Sequence, residues 1–187
     1  TTCAKDYTTW ANWFDAGASR DMQARVLRFP VDTQRAPQLF DHTYDVLSRM
    51  ALWMAEGPGH SLEPRYGIET AQAIARGESR PYSSTGHLKL HSRYELRLLR
   101  WLLERFWMKL QGPYSSTLLH HLKKKHDRYD AVFFFSYTYA TAYYGLPLVG
   151  KKGVLVPTAH NDACFGFKIF ESMFEKCPTF LFMTPEE

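Results

Sequence analysis

No stretch of this chain approaches the ~20 consecutive apolar residues that a membrane-spanning helix needs, so no span is expected. Cysteine is scarce. Cys3, Cys164 and Cys177 form an odd set at scattered spacing, which excludes a disulfide framework and a zinc-knuckle pattern and fits a reducing cytoplasm. Glycine-rich phosphate loops are lacking, and so are HExxH and GxSxG. The familiar dinucleotide, zinc-protease and serine-hydrolase motifs are therefore missing. There is no internal repeat and no low-complexity tract. Thr1 to Tyr7 lack the basic and then apolar pattern of a signal peptide. With no initiator Met, the chain reads as a piece of something longer that starts in the end of a strand.

What is present suits a folded domain. The chain has 187 residues, 45% hydrophobic and 16% aromatic, enough for one buried core and too apolar for a disordered chain. A formal charge of +4 permits an anionic partner, whether nucleotide, phospholipid surface or phosphorylated acceptor, without selecting one.

Ala24 to Phe29 (ARVLRF) reads as a strand closed by Pro30. Ala36 to Ala55 is helical in spacing, with Leu39, Phe40, Tyr44, Val46, Leu47, Met50 and Met54 recurring, and Gly57-Pro58 as its stop. Pro64 to Arg76 is a candidate helix and Gly77 to Gly86 a loop. Leu88 to Leu110 is the clearest helix. It carries six Lys/Arg against two Glu and ends at Gly112-Pro113. Ser115 opens a further helix, Thr117 to His126. Then the texture changes. Three unbroken apolar runs begin at residues 131 (AVFFF), 153 (GVLV) and 179 (TFLFM). Helical stretches, Tyr137 to Tyr144 and Phe165 to Lys176, lie between them. Short apolar strands alternating with helices predict parallel βαβ units.

In an open parallel sheet, ligands gather at the carboxyl ends of the strands. Three loops qualify: Ser136-Tyr137-Thr138, Pro157 to Asp162, and Thr184 to Glu187. His160 is the most chemically capable residue among them, because an imidazole just past a strand end can bond a hydroxyl or carry a proton near neutrality. The bland alternative is a packing or capping role. Asp162 is either a base or the N-cap of the next helix. Thr184-Pro185 has the form of a helix start, and the two glutamates that follow argue against an anion there. His87 and His91 have the spacing of a metal pair but lack a third ligand, so no metal site is expected. His120-His121 before Lys123-Lys124-Lys125 reads as a solvated helix end. No interleaved aromatics suggest nucleic acid. Trp101, Phe106 and Trp107 are read as core; if partly exposed beside Arg97, Arg100 and Lys109, they form an amphipathic membrane-facing surface.

Leu155 to Asp162 (LVPTAHND), Tyr129 to Tyr139 (YDAVFFFSYTY) and Phe180 to Glu187 (FLFMTPEE) together resemble the N-terminal domain of bacterial GT-B glycosyltransferases of the family-4 type. The opening, Thr1 to Tyr7 with Trp10 and Asn12, is similar as well. So are Val26 to Asp32 (VLRFPVD) and Gln111 to Ser115. The likeness covers about two thirds of the chain.

The resemblance implies an α/β fold with a Rossmann-like open parallel sheet flanked by helices. The whole of 1–187 is then a partial acceptor-side domain with a helical insertion around 57–93. The family's opening strand and glycine-rich turn, and its donor-binding domain, are not in the chain. It implies transfer of a sugar from a nucleotide-sugar donor to a glycan or lipid-linked acceptor in cell-envelope polysaccharide synthesis, with retention and without a metal or other cofactor. His160 takes the place of the catalytic strand-end histidine. Thr2, Lys5, Tyr137, Tyr139 and Asp162 become substrate-binding candidates. Where the family often has His-Asp-Glu-Pro, this chain has His160-Asn161-Asp162-Ala163. The implied location is the cytoplasm, with peripheral contact at the inner membrane. The rival expectations are a non-catalytic sugar- or partner-binding domain of the same fold, and another Rossmann-like enzyme such as an epimerase or hydrolase.

Overall fold

A computed structural model describes residues 1–56, 93–159 and 163–184. The helix at 64–76, the loop at 77–86, the pair His87 and His91, and most of the 57–93 insertion lie outside these residues. So do His160, Asn161, Asp162 and Pro185 to Glu187. The described chain is mixed α/β.

It opens with an antiparallel hairpin of β1 (Gly17–Asp21) and β2 (Ala24–Arg28), in the register Gly17↔Arg28 to Asp21↔Ala24. Met22 and Gln23 form the two-residue loop, and Met22 takes a positive φ of 50°. The strand β1 was not expected, because GASRD has no apolar alternation and all five residues are exposed. The N-terminal segment runs alongside. Thr2 bridges Phe29 in parallel, and Ala4 bridges Asn12.

Helix α1 (Pro37–Glu56) matches the periodicity that announced it, and buries Thr43 and Leu47. Helix α2 (Arg93–Gln111) ends as Gly112 turns to a φ of +58°. The Trp10 ring lies so close over Gly112 that a Cβ there would come within 2.8 Å of it. Helix α3 (Ser116–Lys125) starts where Ser115 accepts a hydrogen bond from the Leu118 amide at 3.2 Å, an N-cap of the expected kind.

β3 (Val132–Phe135) and β4 (Gly153–Val156) pair in parallel, Val132 opposite Gly153 through Phe135 opposite Val156. Between them runs α4 (Ala140–Val149), so this part is a βαβ unit. The helix starts later than expected and continues past Tyr144, with Pro147 exposed inside it. After β4 come a short 3₁₀ turn, Ala163–Gly166, and helix α5 (Lys168–Lys176).

The expected third strand, Thr179 to Met183, is corrected to a single parallel bridge. Phe180 lies opposite Leu155, whose N–H and C=O bond Thr179 O and Leu181 N, each at 2.9 Å. Leu181, Phe182 and Met183 are exposed beyond the bridge, with the Phe182 ring stacked on Phe180. Among the described residues β4 is thus flanked on both sides and β3 pairs with β4 alone.

One face of this sheet meets the helices. Phe134 and Leu155 are buried there with Trp107, Leu122, Leu146, Phe167 and Phe170. Gly145 allows the contact, since a Cβ on it would stand 2.6 Å from the Phe134 ring. On the opposite face Phe133 and Phe135 remain 53% and 61% exposed.

One charged pair is buried in this core. Glu104 is fully buried and accepts from Arg100 Nε at 2.7 Å, Lys168 N at 3.2 Å and Ile169 N at 2.9 Å. Arg100 Nη2 in turn donates to Gly166 O at 2.9 Å. The carboxylate therefore satisfies the first free amides of α5, where the helix dipole favours negative charge.

Glu104→Ala should cost about 3–5 kcal/mol, because it leaves the Arg100 guanidinium buried and unpaired. Gly145→Ala should cost about 1–3 kcal/mol by overpacking against Phe134. Urea denaturation of each variant measures both.

Candidate functional site

The loops after β3 and β4 are held together by main chain. Ser136 N donates to Val156 O at 2.9 Å, and Tyr137 N to Pro157 O at 3.1 Å. At each strand end the backbone then turns into a conformation that L-residues seldom adopt. Ser136 has φ +65° and Thr158 has φ +48°. Neither is glycine, and Thr158 is β-branched, so each position is strained. The Ser136 and Thr138 hydroxyls pair at 2.9 Å, and Ala140 N donates to Gly112 O at 2.9 Å, fixing the start of α4.

Beside this strand-end region lies a cavity of about 600 Å³. Thr2, Ala4, Lys5 and Asp6 form one wall, Phe133 to Phe135 the other, and Trp10, Pro113, Leu118, Leu122 and Ala142 also line it. Tyr139 stands where the cavity meets the loop after β3. It packs edge-on against Trp10, with ring centroids 5.6 Å apart. Trp10 is itself buried at a positive φ of 53°, and its Nε1 donates to Gln111 O at 2.8 Å. Lys5 rests its ammonium over the Trp13 ring at 4.5 Å.

Of the substrate-binding candidates, Thr2, Lys5 and Tyr139 come together around this cavity. Tyr137 does not join them. It is buried in the helix-side core, edge-on to Phe170 at 4.8 Å, with its hydroxyl 3.6 Å from Cys164 Sγ. The strand-end rule locates its loop, but the turn at Ser136 sends its ring inward. His160 and Asp162 lie outside the described residues.

Trp107 is core as expected, whereas Trp101 and Phe106 are exposed together with Leu98 and Leu102. The guanidinium of Arg105 lies over the Trp101 ring at 4.8 Å. Arg100 turns inward to Glu104 rather than joining that surface. His121 is no solvated helix end. Its Nε2 meets the Tyr129 hydroxyl at 2.8 Å, and burial, followed by Lys125, lowers its pKa below the usual value.

Trp10, Ser136 and Thr158 escaped the sequence reading as strained positions because no glycine marks them. Asp6 also has an arranged environment. Its Oδ1 accepts from Thr8 Oγ1 at 2.6 Å, Thr9 N at 2.9 Å and Thr8 N at 3.0 Å. These bonds, led by that from the Thr8 hydroxyl, lower its pKa from 3.8 to about 2. Among the described residues, no group of three His, Cys, Asp or Glu is placed to hold a metal ion, and no helix is long and apolar enough to cross a membrane. No family model, no curated protein and no solved structure matches the chain.

Thr158→Gly should raise stability by roughly 1 kcal/mol, because glycine adopts the left-handed conformation without strain; the shift in urea midpoint measures it. The folded pKa of Asp6 is depressed, so its stabilising contribution is present above the unfolded value near 3.8 and is lost as pH falls through about 2. The Asp6 carboxyl shift and the Thr8 and Thr9 amide shifts, followed by NMR, should therefore titrate together close to pH 2. Asp6→Asn should abolish that step.

Proposed function

We propose that this chain is the acceptor-side, Rossmann-like half of a GT-B glycosyltransferase, transferring sugar from a nucleotide-sugar donor to a glycan or lipid-linked acceptor. The observation that carries the reading is the pair of strained residues, Ser136 and Thr158, at adjoining carboxyl ends of two parallel strands. That edge is where open α/β sheets bind ligands, and backbone strain there is the mark of a conformation held for use rather than for stability. His160 follows Thr158 by two residues and is the group assigned to the donor sugar at the reacting carbon.

Lys5 and Tyr139 are assigned to the acceptor. They line the cavity next to the strand ends and offer one cation and one phenol, a pairing suited to a hydroxylated or phosphorylated glycan. The exposed stripe of Leu98, Trp101, Leu102 and Phe106 on α2, with Arg105 over the Trp101 ring, favours a lipid-linked acceptor. Apolar groups edged by cations suit the interface of an anionic membrane. The cytoplasmic face of the inner membrane is the proposed location.

The test joins this domain to a donor-binding domain and measures nucleoside diphosphate release from a panel of nucleotide-sugars, with membrane glycolipid as acceptor. Turnover in the wild type is expected, with a loss of about a hundredfold or more for His160→Ala and an unchanged circular dichroism spectrum. Tyr139→Phe should raise KM for acceptor more than it lowers kcat. Absence of turnover and of donor binding across the panel would sink the enzyme reading and leave a non-catalytic binding domain of the same fold.

A further inference from the structure

The hairpin of β1 and β2 lies at the surface, and no residue of either strand is fully buried. Past Pro30 the chain is fastened by hydrogen bonds. Asn12 Nδ2 donates to Val31 O at 2.9 Å, its Oδ1 accepts from Val31 N at 2.8 Å, and Asp32 N donates to Tyr114 O at 2.9 Å. Before Pro30 the contact is of another kind. The Phe29 ring stands 5.1 Å from the His121 ring of α3, tilted by 55°. His121 Nε2 in turn lies 2.8 Å from the hydroxyl of Tyr129, which leads towards β3. One imidazole therefore touches the exit of the hairpin, sits on α3 and meets the approach to the parallel unit. The segment it holds carries more than the hairpin. Phe29 O accepts from Cys3 N at 2.8 Å, so the stretch that bears Thr2 and Lys5 is joined to it.

We propose that His121 is a proton-operated latch: neutral, it holds the exit of the hairpin against α3 and Tyr129; protonated, it releases that exit, and the hairpin opens at Pro30 while the parallel unit stays folded. The surroundings favour the neutral ring. Burial comes first, followed by the charges of Lys125, the Thr1 amino group and Arg128, and together they hold the His121 pKa below the usual 6.5. Lys125 lies one turn further along α3, and Arg128 belongs to the 3₁₀ turn before Tyr129. Arg25 of β2 lines the same pocket as His121 and Tyr129, so the hairpin brings a cation as well. An imidazolium at this point would lose hydration and meet like charges from its own helix, from the turn before Tyr129 and from the hairpin. A released imidazole takes up its proton near 6.5, the latched one only at lower pH. The latched form binds fewer protons, so latching is complete above pH 6.5 and weakens as pH falls below it. Histidine is the side chain whose charge ordinarily changes in this range. The inference does not rest on the glycosyl-transfer reading.

The experiment uses the 187-residue chain and His121→Gln, which keeps a neutral polar group beside the Tyr129 hydroxyl and takes up no proton. The chain has eight histidines, and the difference between the two proteins isolates this one. NMR follows the His121 ring resonances as pH is lowered from 8 to 5. Hydrogen exchange, corrected for the intrinsic effect of pH on its rate, follows the amides of residues 17–29 and of residues 140–156. His121 is expected to titrate below 6.5. Residues 17–29 should lose protection over the same pH range in the wild type and keep it in His121→Gln, with residues 140–156 alike in both. Acetylation of the Thr1 amino group removes that charge and should leave the loss in place, because burial is the leading cause. If His121→Gln fails to fold by circular dichroism, the wild type decides: the ring titration and the loss of protection at 17–29 must share one midpoint. A His121 that titrates at or above 6.5 overturns the proposal. So do separate midpoints, equal loss of protection in the two proteins, or a loss that acetylation abolishes.

Discussion

The buried Arg100–Glu104 pair is the constraint on which the rest of this structure depends. A carboxylate removed from water is costly unless every lone pair is used, and Glu104 uses its oxygens on a guanidinium and two amides at the start of α5. Arg100 meanwhile holds Gly166 O. The junction between the 3₁₀ turn and α5 is thereby anchored to α2. Phe167, lying between those anchors, packs edge-on against Trp107 at 5.2 Å and against Tyr44 of α1 at 5.9 Å. One ionic contact thus sets where three helices meet.

Upstream, two strand ends hold strained residues. Thr158 holds a left-handed conformation next to Pro157, whose carbonyl is fastened to Tyr137 N. Ser136 is bounded likewise by its bond to Val156 and by the start of α4 against Gly112. A segment tied at both ends can store unfavourable torsion that a free loop would relax. The cost falls on the region where a parallel sheet offers its ligand site. Among the described residues β3 pairs with β4 alone, and Phe133 to Phe135 line a cavity with residues of the N-terminal segment.

Several elements were legible in advance because their signals are local. Ser115 caps α3 through its own hydroxyl, and the α1 stripe repeats at helical spacing. Gly153 to Val156 is an unbroken apolar run of strand length. Others were not legible, for equally physical reasons. Gly17 to Asp21 becomes a strand only because β2 lies beside it. Thr179 to Met183 has the composition of a strand but makes one bridge, and Leu181, Phe182 and Met183 stay exposed beyond it. Trp101, Phe106 and Trp107 are alike in chemistry; only the direction each takes from α2 separates surface from core.

The sequence by itself determined the alternation of two short apolar strands with helices after residue 130 and the absence of any long apolar span. These follow from near-neighbour sterics and periodicity, which act within a few residues. Tertiary structure alone decided that Tyr137 is core while Tyr139 lines the cavity, that Glu104 is buried rather than solvated, and that Thr2 and Lys5 stand across from Phe133 to Phe135. Those outcomes depend on contacts between residues far apart along the chain. No local pattern encodes which of two chemically similar side chains the fold will turn inward.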